Sequence, residues 1–324
     1  MQHTVAGSTA TDYYNHIVNH INPYIGKIKL TELNAAHLSA LYKKLHIQGY
    51  APRTINLVHC VIRSALRSAY DLNLINRNVA TSKEVWKPKI LKHEAHLYSV
   101  PQVKELLQVF ENCPADDPKK IYADCLTVVL SLGVRRGEGL GLKFKDFDLT
   151  TNKVYINTQV APARTEEDTA IAANPTDNGL PKPKTQVQLT GLKTQSAYRW
   201  INVPEPIIDI VKKRMLIVQK QKQIYGSAYE DNDLVFCKEN GHWLQPNQLN
   251  TNYNTFVAMT GLKYSTPHDL RHSYATNLLD ADMPVKVISS NLGHSTVRIT
   301  MDIYADSIIK KEQSAQVVSD LYFK

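Results

Sequence analysis

The stretch APRTINLVHCVIRSALRSAYDLNLI, residues 51–75, constrains the fold more than any other. Ile55, Val58, Ile62, Leu66 and Ala69 recur at steps of three and four, which lays them along one stripe of a helix. Such a stripe must be buried against neighbouring elements. Pro52 suits the first turn, where its missing N–H costs nothing. Arg53, Asn56, Arg63 and Arg67 repeat on the other side with the same steps. The helix is therefore expected to pack on one face and to offer cations on the other. That second face is either an ordinary solvated one or one that lies against DNA.

The flanking sequence extends the helical reading over residues 12–90. HIVNHINPYIGKIKL spaces Ile17, Ile21 and Ile25 as a helix would, and Pro23 predicts that this helix ends just before it. NAAHLSALYKKLHIQ predicts a helix stopped by Gly49. EVWKPKILKHEAHLY, residues 84–98, has Pro88, a cluster of lysines and no period, and reads as an extended linker. The expected division is a helical domain over 1–90, a linker over 91–98 and a larger domain over 99–324. Ser99 and Pro101 open a helix through VKELLQVFEN. KIYADCLTVVLSLGV predicts a buried helix, TTNKVYINTQV a strand, and KTQSAYRWINVP a returning strand. The polar stretch 161–191 reads as a long loop or a hairpin insertion, and from Pro204 onward the pattern is helical again. The fold class expected is a small all-helical domain followed by a mixed, mainly helical α/β domain with a small antiparallel sheet.

The 324 residues suit two domains, and 43% hydrophobic residues suffice for two cores. Lys and Arg outnumber Asp and Glu by 38 to 30, a net charge of +8, which favours a polyanionic partner such as nucleic acid. No apolar run has the length of a membrane span, and MQHTVAGSTATDYY has no signal-peptide pattern. Cys60, Cys113, Cys125 and Cys237 are scattered, which argues against a zinc cluster or a disulfide framework and fits a reducing cytoplasm.

HDLRHSYATNLLDADMPVKVISSNLGHSTVRITMDIYAD, residues 268–306, is the densest chemistry in the chain. His268 and His272 are four apart, as in a zinc-binding H-E-x-x-H helix. Asp269 there is one carbon shorter than the usual Glu, and Arg271 would set a permanent cation beside a metal, so no metal is expected. His268 and Arg271, three apart, share a helix face, and an arginine fork matches two oxygens of a phosphate. SLGVRRGEGLGL supplies a second candidate, Arg135, with Glu138 placed to orient it by an ion pair. In isolation, that pair reads better as a purely structural ion pair.

GVRRGE, KTQSAYR, HDLRH and LGHSTVRITMDIYAD occur in that order, and here the sequence resembles the tyrosine recombinases, the integrases of phages and transposons. INPYIGKIKLTEL looks most like the integrases of conjugative transposons. The resemblance implies a C-shaped clamp on double-stranded DNA. It implies six catalytic positions: Arg135, Lys193, His268, Arg271, His294 and the nucleophile Tyr304, with Arg136 non-catalytic. Lys184 is a weaker match than Lys193, and His272 reads as a helix-packing residue. In that scheme the arginines and His294 stabilise charge on the phosphate and Tyr304 attacks phosphorus. His268 is the candidate base and Lys193 the candidate acid. A 3′-phosphotyrosine keeps the bond energy, so no cofactor is implied. Strand exchange in pairs through a Holliday junction, by a dimer or tetramer on core-type recombination sites of a mobile element, follows from the family. Its tails, here residues 307–324, dock on a neighbouring subunit or on their own domain. Relatives of this subgroup carry an extra arm-binding N-terminal domain, so a truncated form is expected. Two alternatives stand beside recombination: topoisomerase-like nicking and closing, and a catalytically silent DNA-binding regulator. Occupied catalytic positions argue against the regulator.

Overall fold

A computed structural model describes residues 7–90, 96–164 and 185–301. The chain divides into two compact units: residues 1–94 with 162–186, and residues 95–161 with 187–324.

The first unit is built from helices α1 (Gly7–His16), α2 (Asn22–Ile25), α3 (Ala35–Ile47) and α4 (Pro52–Asp71). Pro23 does not stop the chain's helical path. A π turn over Ile17–Ile21 shifts the register, and Pro23 then enters the first turn of α2, where its absent N–H is not needed. Asn34 caps α3 by accepting the N–H groups of Ala36 and His37 at 3.0 and 3.1 Å. Gly49, at φ +85°, follows the end of α3. The α4 stripe is buried as its period requires, against Leu38, Leu41, Tyr42 and Leu45 of α3. His59 is buried with it, sharing a hydrogen bond between Nδ1 and the Tyr42 hydroxyl at 3.1 Å.

The stretch expected as an extended linker is anchored at both ends. Val85 sits in the first unit's core and the Trp86 N–H donates to Ser39 Oγ at 3.0 Å. Tyr98 is buried in the second unit. Its N–H donates to Ser273 Oγ at 2.9 Å and its hydroxyl to the Lys263 carbonyl at 3.0 Å. Residues 91–95 lie outside the described residues.

The second unit opens with α5 (Val100–Glu111), whose Ser99–Gln102 capping box and Pro101 match the sequence signals. The helix α6 (Lys120–Leu132) is the core's axis. Cys125, Leu126, Val128, Val129 and Leu132 are all buried, and α5 meets the later helix Pro246–Ala258 beside it through Phe110 and Phe256, whose rings are 5.3 Å apart. The short α7 (Arg136–Leu140) follows. Strands β1 (Phe147–Asp148), β2 (Lys153–Ile156) and β5 (Arg199–Asn202) form one antiparallel sheet in the order β1-β2-β5. Strands β3 (Thr158–Arg164) and β4 (Thr185–Gly191) pair separately, so the ends of the polar stretch 161–191 are a hairpin. Helices α8 (Glu205–Tyr225), α9 (Pro246–Ala258), α10 (Pro267–Asp280) and α11 (Val285–Leu292) complete the unit. The interval between α8 and α9 is not continuously helical. It contains a short 3-10 turn and an isolated bridge of Cys237 with Trp243, and its Leu234 bridges back to Lys143. The protein is thus mainly helical with small antiparallel sheets. Among the described residues no helix is long and apolar enough to cross a membrane.

Candidate active site

Arg135 stands at a helix junction. Gly133 ends α6 in the left-handed region at φ +63°, and Arg135 is the N-cap of α7. Its backbone N–H donates to Glu138 Oε2 at 2.9 Å and its Nη1 to Glu138 Oε1 at 2.7 Å. The carboxylate of Glu138 is buried, yet its pKa is held below the ordinary range. Burial by itself would raise it, and the Arg199 and Arg135 guanidiniums override that effect. The Arg135 side chain keeps 39% of its surface, enough to reach a bound group, while that of Arg199 keeps 5%.

Helix α10 carries the next residues. Thr266 caps it, and Asp269 closes the capping box by accepting from the Thr266 N–H and hydroxyl at 2.7 and 2.8 Å. Asp269, the residue that a zinc reading would need to activate water, is thus occupied in shaping the helix start. Arg271 is buried, with Nη1 donating to the Gly133 carbonyl at 2.8 Å and Nη2 to the Leu292 carbonyl. His268 and His272 stack edge to face, ring centroids 4.8 Å apart. Loss of water around its ring holds the His268 pKa below the ordinary value. His272, Arg271 and Arg135 add to that direction and Asp269 opposes it.

His294 is set by the end of α11. Gly293 takes φ +66°, its N–H bonding the Ser290 carbonyl and that of His294 the Ser289 carbonyl, which closes the helix and turns His294 away. The imidazole Nδ1 pairs with the buried Thr300 hydroxyl at 2.8 Å. Burial, then Arg271 and Arg135, depresses its pKa to about 4.

Arg135, Glu138, His268, Arg271 and His294 therefore meet around one point, brought from α7, α10 and the end of α11. Lys193 stands exposed in the turn after β4. Tyr304, Lys184 and the tail 307–324 lie outside the described residues. In the other unit Arg53, Arg63 and Arg67 are exposed on α4, and Asn56 is half-buried. Arg67 pairs with Asp71 at 3.0 Å and lies over the Tyr70 ring. Among the described residues no three His, Cys, Asp or Glu side chains are grouped to hold a metal. The residue that sequence reasoning missed is Arg199, a buried cation in β5 that joins Glu138 to the end of α11.

The model of the phage integrase family matches residues 99–310, and that of the phage integrase N-terminal SAM-like domain matches residues 1–46. A XerC-like tyrosine recombinase of Caldanaerobacter subterraneus subsp. tengcongensis is 26% identical over 324 residues, covering 97% of this chain and 78% of that protein. An integrase of Saccharopolyspora erythraea is 22% identical, covering 89% and 72%. Among solved structures, the Tn1549 transposon integrase in complex with transposon right end DNA shares the fold at a TM-score of 0.71 and 18% identity, covering 96% of this chain and 94% of that one. The XerH site-specific recombinase bound to palindromic difH substrate does so at 0.64 and 15%, covering 96% and 80%.

Proposed function

This chain belongs to the phage integrase family, and we propose that it is a site-specific DNA recombinase that cuts and rejoins duplex DNA of a mobile element through a 3′-phosphotyrosine. The observation that carries the reading is the meeting of two arginines from distant parts of the chain. Arg271 holds the carbonyl of Gly133, two residues before Arg135, and both cations act on His268 and His294.

A phosphodiester carries one negative charge, and more gathers on its non-bridging oxygens as a fifth oxygen approaches phosphorus. Fixed cations stabilise that state without reorganising. Arg135, half-open to solvent, faces those oxygens, and Arg271 holds the positive field from beneath. His294 is neutral at physiological pH. With Nδ1 taken up by Thr300, its Nε2 is the position from which it donates to the phosphate. His268 is likewise driven toward neutrality, so it can accept the phenolic proton of Tyr304. The Tyr304 oxygen bonds to phosphorus and the bond from phosphorus to the 5′ oxygen breaks. The leaving oxygen takes a proton from Lys193. Reversal with a different 5′ hydroxyl rejoins the strand, and because ester replaces ester, no cofactor is consumed.

Residues 1–90 are assigned to core-site DNA binding, with Arg53, Asn56, Arg63 and Arg67 toward the backbone phosphates, and residues 99–324 to catalysis. The enzyme works in the cytoplasm as a dimer or tetramer on double-stranded DNA. A nicked suicide substrate tests the chemistry. The native chain should leave a covalent protein–DNA band and Tyr304→Phe none, and a band that survives in the variant moves the nucleophile elsewhere. Exchange between two DNA sites is expected. Relaxation of a supercoiled plasmid without exchange would make the protein a nicking–closing enzyme, and DNA binding without any covalent band a silent regulator.

A further inference from the structure

Arg199 is a buried cation whose every nitrogen has a protein acceptor. Its Nε donates to the Asn291 carbonyl at 2.5 Å, its Nη1 to the Ala197 carbonyl at 2.7 Å and its Nη2 to Glu138 Oε2 at 2.9 Å. It touches no surface from which DNA could approach, since only 5% of its side chain is accessible.

Its partners lie on both sides of the site. Glu138 holds Arg135 by side chain and by backbone. Asn291 and Leu292 are the last residues of α11, three and two positions before His294. Their successive carbonyls accept from two different arginines, Asn291 from Arg199 and Leu292 from Arg271. Arg271 in turn donates to the Gly133 carbonyl, which opens the turn that carries Arg135. The bonds therefore close a loop, from Arg135 through Glu138, Arg199, the end of α11 and Arg271 back to the turn at Gly133. Gly293 shows how tightly the loop is drawn. A Cβ there would lie 3.0 Å from Arg199 Nη1 and 3.1 Å from the Ser196 carbonyl.

We infer that Arg199 is a positioning residue for strand cleavage: it fixes Arg135 and His294 relative to each other by gripping Glu138 and the Asn291 carbonyl at once. The inference rests on the strand-transfer reading above. A planar guanidinium is suited to this because its donors are rigidly splayed and serve separated acceptors in one plane. A lysine keeps the charge beside Glu138 but offers a single nitrogen, so it cannot hold both ends. Displacing charged groups by fractions of an ångström is costly when they must meet a developing charge, whereas ground-state DNA binding is spread over many phosphates.

The test compares the native chain, Arg199→Met and Arg199→Lys on nicked duplexes with either a phosphodiester or an uncharged methylphosphonate at the cleaved position. Single-turnover cleavage, DNA affinity and thermal melting are read together. On the phosphodiester, cleavage should slow by about 100-fold in Arg199→Met and about 10-fold in Arg199→Lys, with DNA affinity within about twofold of native. On the methylphosphonate both defects should shrink several-fold, because a neutral phosphorus no longer needs Arg135 and His294 in register. A merely structural role would slow both substrates equally. If Arg199→Met is unfolded, Arg199→Lys alone decides. Cleavage by a folded variant within about threefold of native, or an equal loss on both substrates, overturns the inference. No covalent band from the native chain would instead sink the strand-transfer reading itself.

Discussion

The guanidinium of Arg271 donates to the carbonyl of Gly133 at 2.8 Å, joining positions 138 residues apart in the sequence. That bond makes the conformation of Gly133 part of the site. At φ +63° a side chain is strained, and a Cβ would also run into the ring of Tyr274 on α10. Gly133→Ala should therefore lose about 2–5 kcal/mol, summing left-handed backbone strain and overpacking. A denaturant titration checks this through the midpoint at constant slope. Cleavage should fall with it because Arg135 moves. A midpoint equal to that of the native chain contradicts the account of this turn.

As the proposed base, His268 should set the pH dependence of cleavage through its depressed pKa. A base must be neutral to accept a proton, and His268 protonates in the folded protein only below the ordinary value of 6.5. Activity is thus lost only as pH falls through the lower, folded value. The acid limb of the single-turnover rate should be centred below 6.5, and His268→Gln should be slow at every pH and lack the limb. An acid limb centred above 6.5 removes His268 from the role.

His59 gives the helical unit an acid sensitivity of its own. It is buried against Tyr42, and burial, then Lys87 and Arg63, lowers its pKa to about 4. The unfolded chain takes up the proton near 6.5 and the folded chain only near 4, so stability is complete above 6.5 and drains away between those values. The loss amounts to about 3 kcal/mol at most. Other histidines with lowered values contribute in the same direction, so the comparison must be with a variant. His59→Gln should melt below the native chain at pH 7.5 yet lose less on going to pH 5. Equal losses in the two proteins argue that His59 is solvated when charged.

Much of this architecture is legible in the residues, and the exceptions share a cause. The α4 stripe, the Ser99–Gln102 box and the Arg135–Glu138 pair are local, with partners within a few positions, and spacing alone reveals them. Arg199 is not local. In β5 it shares the buried side of the strand with Ile201 while Trp200 faces out, the reverse of what hydrophobicity suggests. Glu138, 61 positions earlier, balances that buried charge, and no periodicity announces such a partner. Pro23 misled for a similar reason. A proline ends a helix that keeps its register, and the π turn before it changes the register. The anchoring of Trp86 and Tyr98 depends on Ser39 and Ser273, which lie far from them in sequence.

The arginine side of α4 makes a prediction that separates DNA contact from an ordinary solvated face. Phosphate contacts release counterions, so each one adds about 0.9 to the slope of log affinity against log salt. Arg53 and Arg63 are exposed on that helix. Arg67 is exposed too, but its guanidinium is paired with Asp71 at 3.0 Å and lies over Tyr70. Breaking an exposed pair costs under about 1 kcal/mol, so Arg67 remains able to turn to a phosphate but gains less by doing so. Arg53→Ala and Arg63→Ala should each lower the slope by about 0.9 and weaken binding to specific and random duplexes alike. Arg67→Ala should change the slope by less than either, and Asp71→Asn, which releases Arg67, should tighten binding at low salt. Affinity measured by fluorescence anisotropy from 50 to 300 mM salt decides it. Slopes unchanged in Arg53→Ala and Arg63→Ala would mean that this face of α4 looks onto solvent and that DNA is held elsewhere.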